Sequence, residues 1–185
     1  MSGLKWSIMA IERINGTVGR SVSWLTVLMV FLTCLVAVLR YGFSLGFVWM
    51  QELYIWMHAM VFLLASAYTL LHDGHVRIDL IYGPASLKFK AWLNIAGTLF
   101  FLFPMVGLIF WVALPYVYLS WTRLETSQEA GGLQGLFLLK SCMILFVVLL
   151  ALQGLALILR SILVLKGHAE WSPDNPGVEP YGEAP

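Results

Sequence analysis

The sequence predicts an all-α integral membrane protein with four transmembrane helices, preceded by an N-terminal amphipathic helix at the membrane interface. Three observations predict this fold class. The 185-residue chain is 60% hydrophobic and only 11% charged, whereas a soluble domain carries about 25% charged residues. Its mean hydropathy is +0.84. Its apolar residues fall into four long runs, each near the roughly 20 residues that cross a bilayer as a helix. A soluble globular domain is therefore excluded.

The composition also excludes several function classes. The net charge is +1, so no nucleic-acid partner is expected. Cys34 and Cys142 both lie in apolar runs and form no CxxC pair, which excludes a thiol-oxidoreductase motif and most cysteine-based metal sites. The chain has no Walker-type loop, no GxSxG and no HExxH motif. We expect no catalytic residue, no cofactor and no metal, and therefore not an enzyme.

The first element is predicted in two parts. Met1–Arg20 carries basic residues such as Lys5 and Arg13, with apolar residues close to helical spacing, which is typical of an amphipathic helix on the membrane surface. Ser21–Leu39 has no charged residue, and Arg40 follows it. This second part is the first predicted span, over about residues 21–39.

The second span is predicted over Phe47–Leu71, and it contains Glu52 and His58. Glu52 lies about 7 Å from the start of this helix, where an acid pairs at the interface with a neighbouring helix or subunit. His58 is predicted to make a hydrogen bond between helices. Two other roles stay open, namely Glu52 as a proton carrier and His58 as a haem ligand.

The second loop begins with a polar segment, His72–Asp79. Four of its side chains are of metal-binding types, but Arg77 among them repels a cation, so a metal site is not favoured. His75, Arg77 and Asp79 alternate with apolar residues. This period of two indicates an extended segment with one polar edge, which can lie along the headgroups or on a partner.

The third apolar run, Ala91–Ser120, is too long for one straight crossing. As a helix its 30 residues would measure about 45 Å, against a hydrocarbon core of about 30 Å. A proline can kink a helix, and the run contains Pro104 and Pro115. We predict a span over Ala91–Leu114, followed by Pro115–Trp121 along the interface, where tyrosine and tryptophan prefer to lie.

The fourth span is predicted over Leu136–Leu159, with Lys140 near its start, Gln153 within it and Arg160 after it. Lys140 can extend to the headgroups, and Gln153 is expected to make one interhelical hydrogen bond. Residues 1–166 thus form a single four-span domain. The remaining residues 167–185 are rich in proline and acids, which predicts a disordered tail.

The basic residues predict the orientation of the chain in the membrane. The N-terminus, the second loop and the C-terminal flank hold eight of the eleven lysines and arginines. By the positive-inside rule, both termini and the second loop are cytoplasmic, while the first and third loops face the other side.

The spans contain few features of a transport pathway. We find no inverted repeat and no pair of short helices broken by glycine or proline, the features that mark substrate and ion sites in secondary transporters. Four such spans are better suited to be a scaffold for something larger.

Three segments together resemble a known family. Trp49–Leu53 (WMQEL) opens the second span, Gly74–Leu80 (GHVRIDL) leaves it, and Ser127–Leu133 (SQEAGGL), with Lys140 following, precedes the fourth. The chain resembles the small, DctQ-like membrane subunit of tripartite ATP-independent periplasmic (TRAP) transporters over roughly residues 10–165. It departs from the family at Gln134, where many members have a proline.

The resemblance implies a role. A periplasmic binding protein captures a solute such as an organic acid, and a large multi-span subunit moves it inward by an elevator-like motion coupled to sodium. The small subunit, in the bacterial inner membrane, widens the fixed scaffold and holds neither substrate nor sodium. The candidate residues for fixing helix ends and for the subunit contact are Trp49, Glu52, His75, Arg77, Asp79, Glu129, Gly131, Gly132 and Lys140.

Two other functions are kept as alternatives. One is a haem-bearing four-helix membrane anchor of a respiratory complex, which would need a second histidine at the depth of His58. The other is a small stand-alone exporter that uses Glu52 as its proton carrier.

Overall fold

The computed structural model describes residues 2–75 and 82–172, and these residues are mainly helical with no strand among them. Within this part of the chain, four helical stretches are long and apolar enough to cross a membrane. The helices are α1 (Ser2–Phe43), α2 (Val48–Leu64), α3 (Ser66–Leu71), α4 (Leu87–Gly97), α5 (Phe103–Thr122) and α6 (Leu136–Leu165). The prediction of an all-α, four-helix membrane protein is thereby confirmed.

The predicted surface helix and the first predicted span form one continuous helix, α1, of 42 residues. No proline occurs in it, and its glycines do not interrupt it. Its N-terminal half packs against α3 and α6, and this half buries Ile8, Glu12 and Asn15. The outer half of α1 is different, because none of the residues in its most apolar 18-residue window is buried by the rest of the chain.

The third span does not end before Pro115, so the predicted break at this residue is wrong. A π-helical segment, Thr98–Leu102, joins α4 to α5, and α5 continues through Pro115 to Thr122. Pro115 removes one backbone hydrogen bond, but a break inside lipid would leave several backbone groups without partners, which costs more. The helix therefore runs on.

Part of the predicted disordered tail is ordered. Residues Ala169–Trp171 form a short 3-10 helix, and Ser172 after it is buried. The rest of the predicted tail lies outside the described residues.

Two glycines allow helices to approach closely. A Cβ atom added to Gly19 of α1 would lie 2.3 Å from the Cβ of Tyr68 in α3. A Cβ on Gly154 of α6 would lie 3.1 Å from the Thr98 methyl group and 2.4 Å from a Leu102 methyl group, both in the π-helical segment. Small residues have this role in membrane proteins, where packing holds helices together.

The four stretches alternate in direction, so the first and third loops lie at one end of the bundle. The start of α1, the end of α6 and the described parts of the second loop lie at the other end. Contacts across the bundle agree with this arrangement, since Glu52 bonds to Leu133 at one end and Glu12 to Arg160 at the other.

We predict that Gly19→Ala lowers the thermal unfolding midpoint of the purified protein in detergent. Overpacking a helix contact costs about 1–3 kcal/mol, which exceeds the gain of up to about 1 kcal/mol from replacing a helical glycine with alanine. Gly107→Ala is the matched control, because nothing lies within 4 Å of its added Cβ. Equal unfolding midpoints for the two variants would contradict the close contact between Gly19 and Tyr68.

Candidate functional site

The carboxylate of Glu52 holds the third loop, residues 123–135, against the second span. One of its oxygens, Oε2, accepts a hydrogen bond from the backbone N–H of Leu133 at 2.6 Å. The other, Oε1, accepts a hydrogen bond from the hydroxyl of Ser127. That hydroxyl in turn accepts a hydrogen bond from the backbone N–H of Glu129 at 3.1 Å. A single acid at the start of α2 therefore binds two parts of a loop far away in the sequence.

The loop itself closes around this carboxylate. The N–H of Ser127 donates to the carbonyl of Leu133 at 3.1 Å, and the N–H of Gly132 donates to the carbonyl of Glu129 at 3.0 Å. Gly131 has φ +79°, which side chains rarely adopt. At Gly132 an added Cβ would lie 2.5 Å from the Ser127 Oγ and 2.7 Å from Oε2 of Glu52. Each glycine of the pair is thus needed for a different reason.

A second contact fixes the loop to the start of α6. The Lys140 ammonium pairs with the carboxylate of Glu125, and it lies 4.0 Å from the centre of the Tyr116 ring. The hydrogen bond from Lys140 is the largest cause that lowers the pKa of Glu125 below its ordinary value of 4.5. Next to this pair, the indole N–H of Trp121 donates to the hydroxyl of Ser141 at 2.8 Å. These contacts hold the end of α5 against the start of α6.

A buried ion pair joins α1 to α6 at the opposite end of the bundle. Nη2 of Arg160 donates to Oε2 of Glu12 at 2.9 Å. Glu12 is 1% exposed and Arg160 is 8% exposed. One turn further along α1, Nδ2 of Asn15 donates to Oε1 of Gln153 at 2.7 Å, which confirms the interhelical hydrogen bond expected for Gln153. Removing one partner of a buried ion pair costs about 3–5 kcal/mol, so this contact fixes the position of α1.

The structure brings together most of the residues that the sequence singled out near the third loop. We name the hydrogen-bonded cluster of Glu52, Ser127 and the loop backbone from Glu129 to Leu133 the Glu52 knot. Gly131 and Gly132 lie in this knot, and Lys140 holds the same loop from α6. Trp49 is 43% exposed, with its ring centre 6.4 Å from that of Phe47, and it does not take part.

Of the other candidates, the structure describes only His75, which does not belong to this site. His75 is exposed at the other end of the bundle, where it lines a cavity of about 360 Å³ together with Glu12 and Arg160. Arg77 and Asp79 lie outside the described residues.

Sequence reasoning missed several residues that matter. The sequence patterns include Ser127 only within a motif, and they do not single out Glu125. Glu12 is a residue that the sequence could have indicated. It lies on the same helical face as Ile8 and Asn15, and all three are buried. An acid on the apolar face of an amphipathic helix implies a buried partner, and Arg160 just after the fourth predicted span was available.

Within the described ranges, no three His, Cys, Asp or Glu side chains are close enough to hold a metal ion. The site is therefore a set of hydrogen bonds and ion pairs between backbone and side chains. What it does physically is to hold irregular loop backbone and helix ends in fixed positions.

Comparison with known proteins gives one match. The sequence model of the family described as "Tripartite ATP-independent periplasmic transporters, DctQ component" matches residues 12–164. No curated protein and no solved structure is matched.

We predict that Glu52→Ala increases amide hydrogen exchange at Leu133 and accelerates proteolysis of the third loop. The change leaves a backbone N–H and a hydroxyl without their acceptor, which costs about 1–3 kcal/mol. Glu129→Ala is the control, since Glu129 enters the knot through its backbone N–H. Unchanged protection of the loop in Glu52→Ala would contradict the role of this carboxylate.

We also predict that the ion pair of Glu125 with Lys140 makes a contribution to stability that is lost in acid. The pKa of Glu125 is lowered in the folded state, so the pair with Lys140 stabilises the fold above the unfolded-state value, and this contribution is lost as pH falls through the folded-state pKa. Unfolding midpoints measured from neutral pH down to below about pH 4.5 should fall more steeply in wild type than in Glu125→Gln. Parallel curves would contradict the prediction.

Proposed function

The chain belongs to the DctQ-component family of tripartite ATP-independent periplasmic transporters, and on this premise we propose that it is a fixed scaffold for the large transport subunit. Membership makes it the small subunit of a TRAP transporter, a component of a multi-pass membrane complex. The family acts together with a large membrane component and a solute-binding protein. The scaffold role is our own step beyond family membership.

One observation carries this proposal: the least exposed charged side chains of α1, α2 and α6 make contacts within the chain. Glu12 pairs with Arg160, Lys140 pairs with Glu125, and Glu52 accepts hydrogen bonds from the third loop. Charged groups inside a membrane protein commonly mark solute or ion pathways. Here they hold helices and a loop in place, which is the property that a stationary wall requires.

The proposed transport cycle gives this wall its purpose. A periplasmic binding protein delivers a solute, for which we propose an organic acid. The large subunit then moves the solute inward by an elevator-like motion driven by a sodium gradient. An elevator needs a part that stays fixed while the cargo domain slides, and four additional spans enlarge that part.

We propose that both termini are cytoplasmic, in accordance with the distribution of basic residues. The first and third loops, and with them the Glu52 knot, then face the periplasm. The ion pair between Glu12 and Arg160 then lies on the cytoplasmic side.

The contacts favour the scaffold over the exporter, and an absorption spectrum tests the haem-bearing anchor. An exporter that used Glu52 as its proton carrier would need this carboxylate to be free, whereas it holds the third loop. A haem-bearing anchor would produce a Soret band in the absorption spectrum of the purified protein.

We predict that uptake in proteoliposomes requires this chain, the large subunit, the binding protein and an inward sodium gradient together. The chain alone should transport nothing, because Glu12, Glu52 and Lys140 are used for internal contacts. Uptake by the large subunit and binding protein without this chain would contradict the scaffold role. Uptake that does not change when the sodium gradient is removed would contradict sodium coupling.

We further predict that Glu52→Ala and Arg77→Ala each reduce the amount of large subunit that co-purifies with the tagged small subunit. Gly107→Ala is the control, since this exposed position touches none of the charged contacts. Full co-purification and normal transport by both variants would contradict the assignment of these residues to the subunit contact.

A further inference from the structure

A groove between α1 and α2 combines exposure with polar side chains. Its volume is about 410 Å³, and its lining includes Thr26, Thr33, Tyr54 and His58. We name it the α1–α2 groove. Thr26, Thr33 and His58 are exposed in the isolated chain.

The groove lies near the middle of the membrane. His58 is ten residues into α2, which places it about 15 Å from the start of that helix, or half the thickness of a hydrocarbon core of about 30 Å. Thr26 and Thr33 lie on either side of the centre of the first predicted span, each within about 6 Å of it along the axis. Lipid contact at this depth offers no hydrogen-bond partner.

Within the described part of the chain, His58 has no such partner either. Among residues 2–75 and 82–172, no group is hydrogen-bonded to the His58 ring or to the Tyr54 hydroxyl. The expected hydrogen bond from His58 to another helix is therefore not made within this part of the chain. Polar side chains in membrane spans typically face a protein interior or a partner, so the missing contact points outside the chain.

A second exposed surface provides the comparison. The outer face of the third span includes Phe100, Phe101, Leu108 and Trp111, which are 66–80% exposed. Its sequence from Leu99 to Leu114 contains no hydroxyl, amide or charged side chain. We name this surface the α5 face, and its composition is that expected for contact with lipid.

We infer that the α1–α2 groove is the seat of a transmembrane helix of the large subunit, one that carries a hydrogen-bonding side chain at mid-membrane depth. This inference rests on the proposed function, since it names the surface by which the scaffold is joined to its partner. The outer half of α1 supports it, because no residue of its apolar window is fully buried by the rest of the chain. Thr26, Thr33 and Cys34 line the groove with small side chains, and small residues let helices approach closely in membranes.

Site-specific photo-crosslinking tests the inference in the intact complex. A benzophenone amino acid is placed at position 33 in the groove, or at position 111 on the α5 face, in the small subunit co-expressed with its large subunit. Irradiation should crosslink position 33 to the large subunit, and position 111 should not give this product. Crosslinking from 111 but not 33, or only a dimer of small subunits from 33, would overturn the inference.

A substitution at His58 tests the hydrogen bond itself. His58→Leu should reduce the co-purified large subunit by about threefold, the typical effect of one interhelical hydrogen bond, and His58→Gln should restore part of it. Trp111→Leu is the control and should leave association unchanged. Equal association of all three variants would overturn the role of His58.

The two proposals can fail separately. If the wild-type chain does not co-purify with the large subunit at all, the proposed function fails. If the complex forms but crosslinks through the α5 face, only the location of the contact is wrong.

Discussion

The hydrogen bonds from the third loop to the Glu52 carboxylate are the contact on which this end of the molecule depends. Irregular loop backbone has N–H groups that no helix or strand satisfies, and each needs an acceptor from elsewhere when it is shielded from water. The carboxylate accepts hydrogen bonds from the N–H of Leu133 and from the hydroxyl of Ser127. These two bonds hold the irregular loop in one conformation. Because the loop joins α5 to α6, a single acid on α2 fixes the ends of three spans relative to one another.

The ion pair between Glu12 and Arg160 has the corresponding role at the other end. Between the two ends the helices meet mainly through apolar side chains, which in lipid give little preference for one neighbour over another. Close packing at Gly19 and Gly154 selects which helix surfaces fit together. The polar contacts fix how far each helix is shifted along its neighbour. The low charge content is therefore informative, because the described charges on the spans largely hold helix ends rather than line a path.

The sequence predicted the elements better than the contacts between them. Long apolar runs identify spans with little ambiguity, since the length of a crossing is fixed by the bilayer. Glu52 was expected to pair with a neighbouring helix or subunit, but its partner is a loop 81 residues away in the same chain. Local periodicity and helix propensity carry no information about a contact between residues so far apart in the sequence. Pro115 shows the opposite error, because a local rule predicted a break that the membrane environment makes more costly than a lost hydrogen bond.

The rotation of α2 about its axis links the loop contact of Glu52 to the position of His58 in the α1–α2 groove. Glu52 and His58 are six residues apart on this helix, so at about 100° per residue their side chains point in directions that differ by about 120°. When Glu52 faces the third loop, His58 must face away from it, towards the α1–α2 groove. The loop contact thus sets the direction of a polar group that it does not touch. In this way an acid that is satisfied within its own chain can determine how the chain meets its partner.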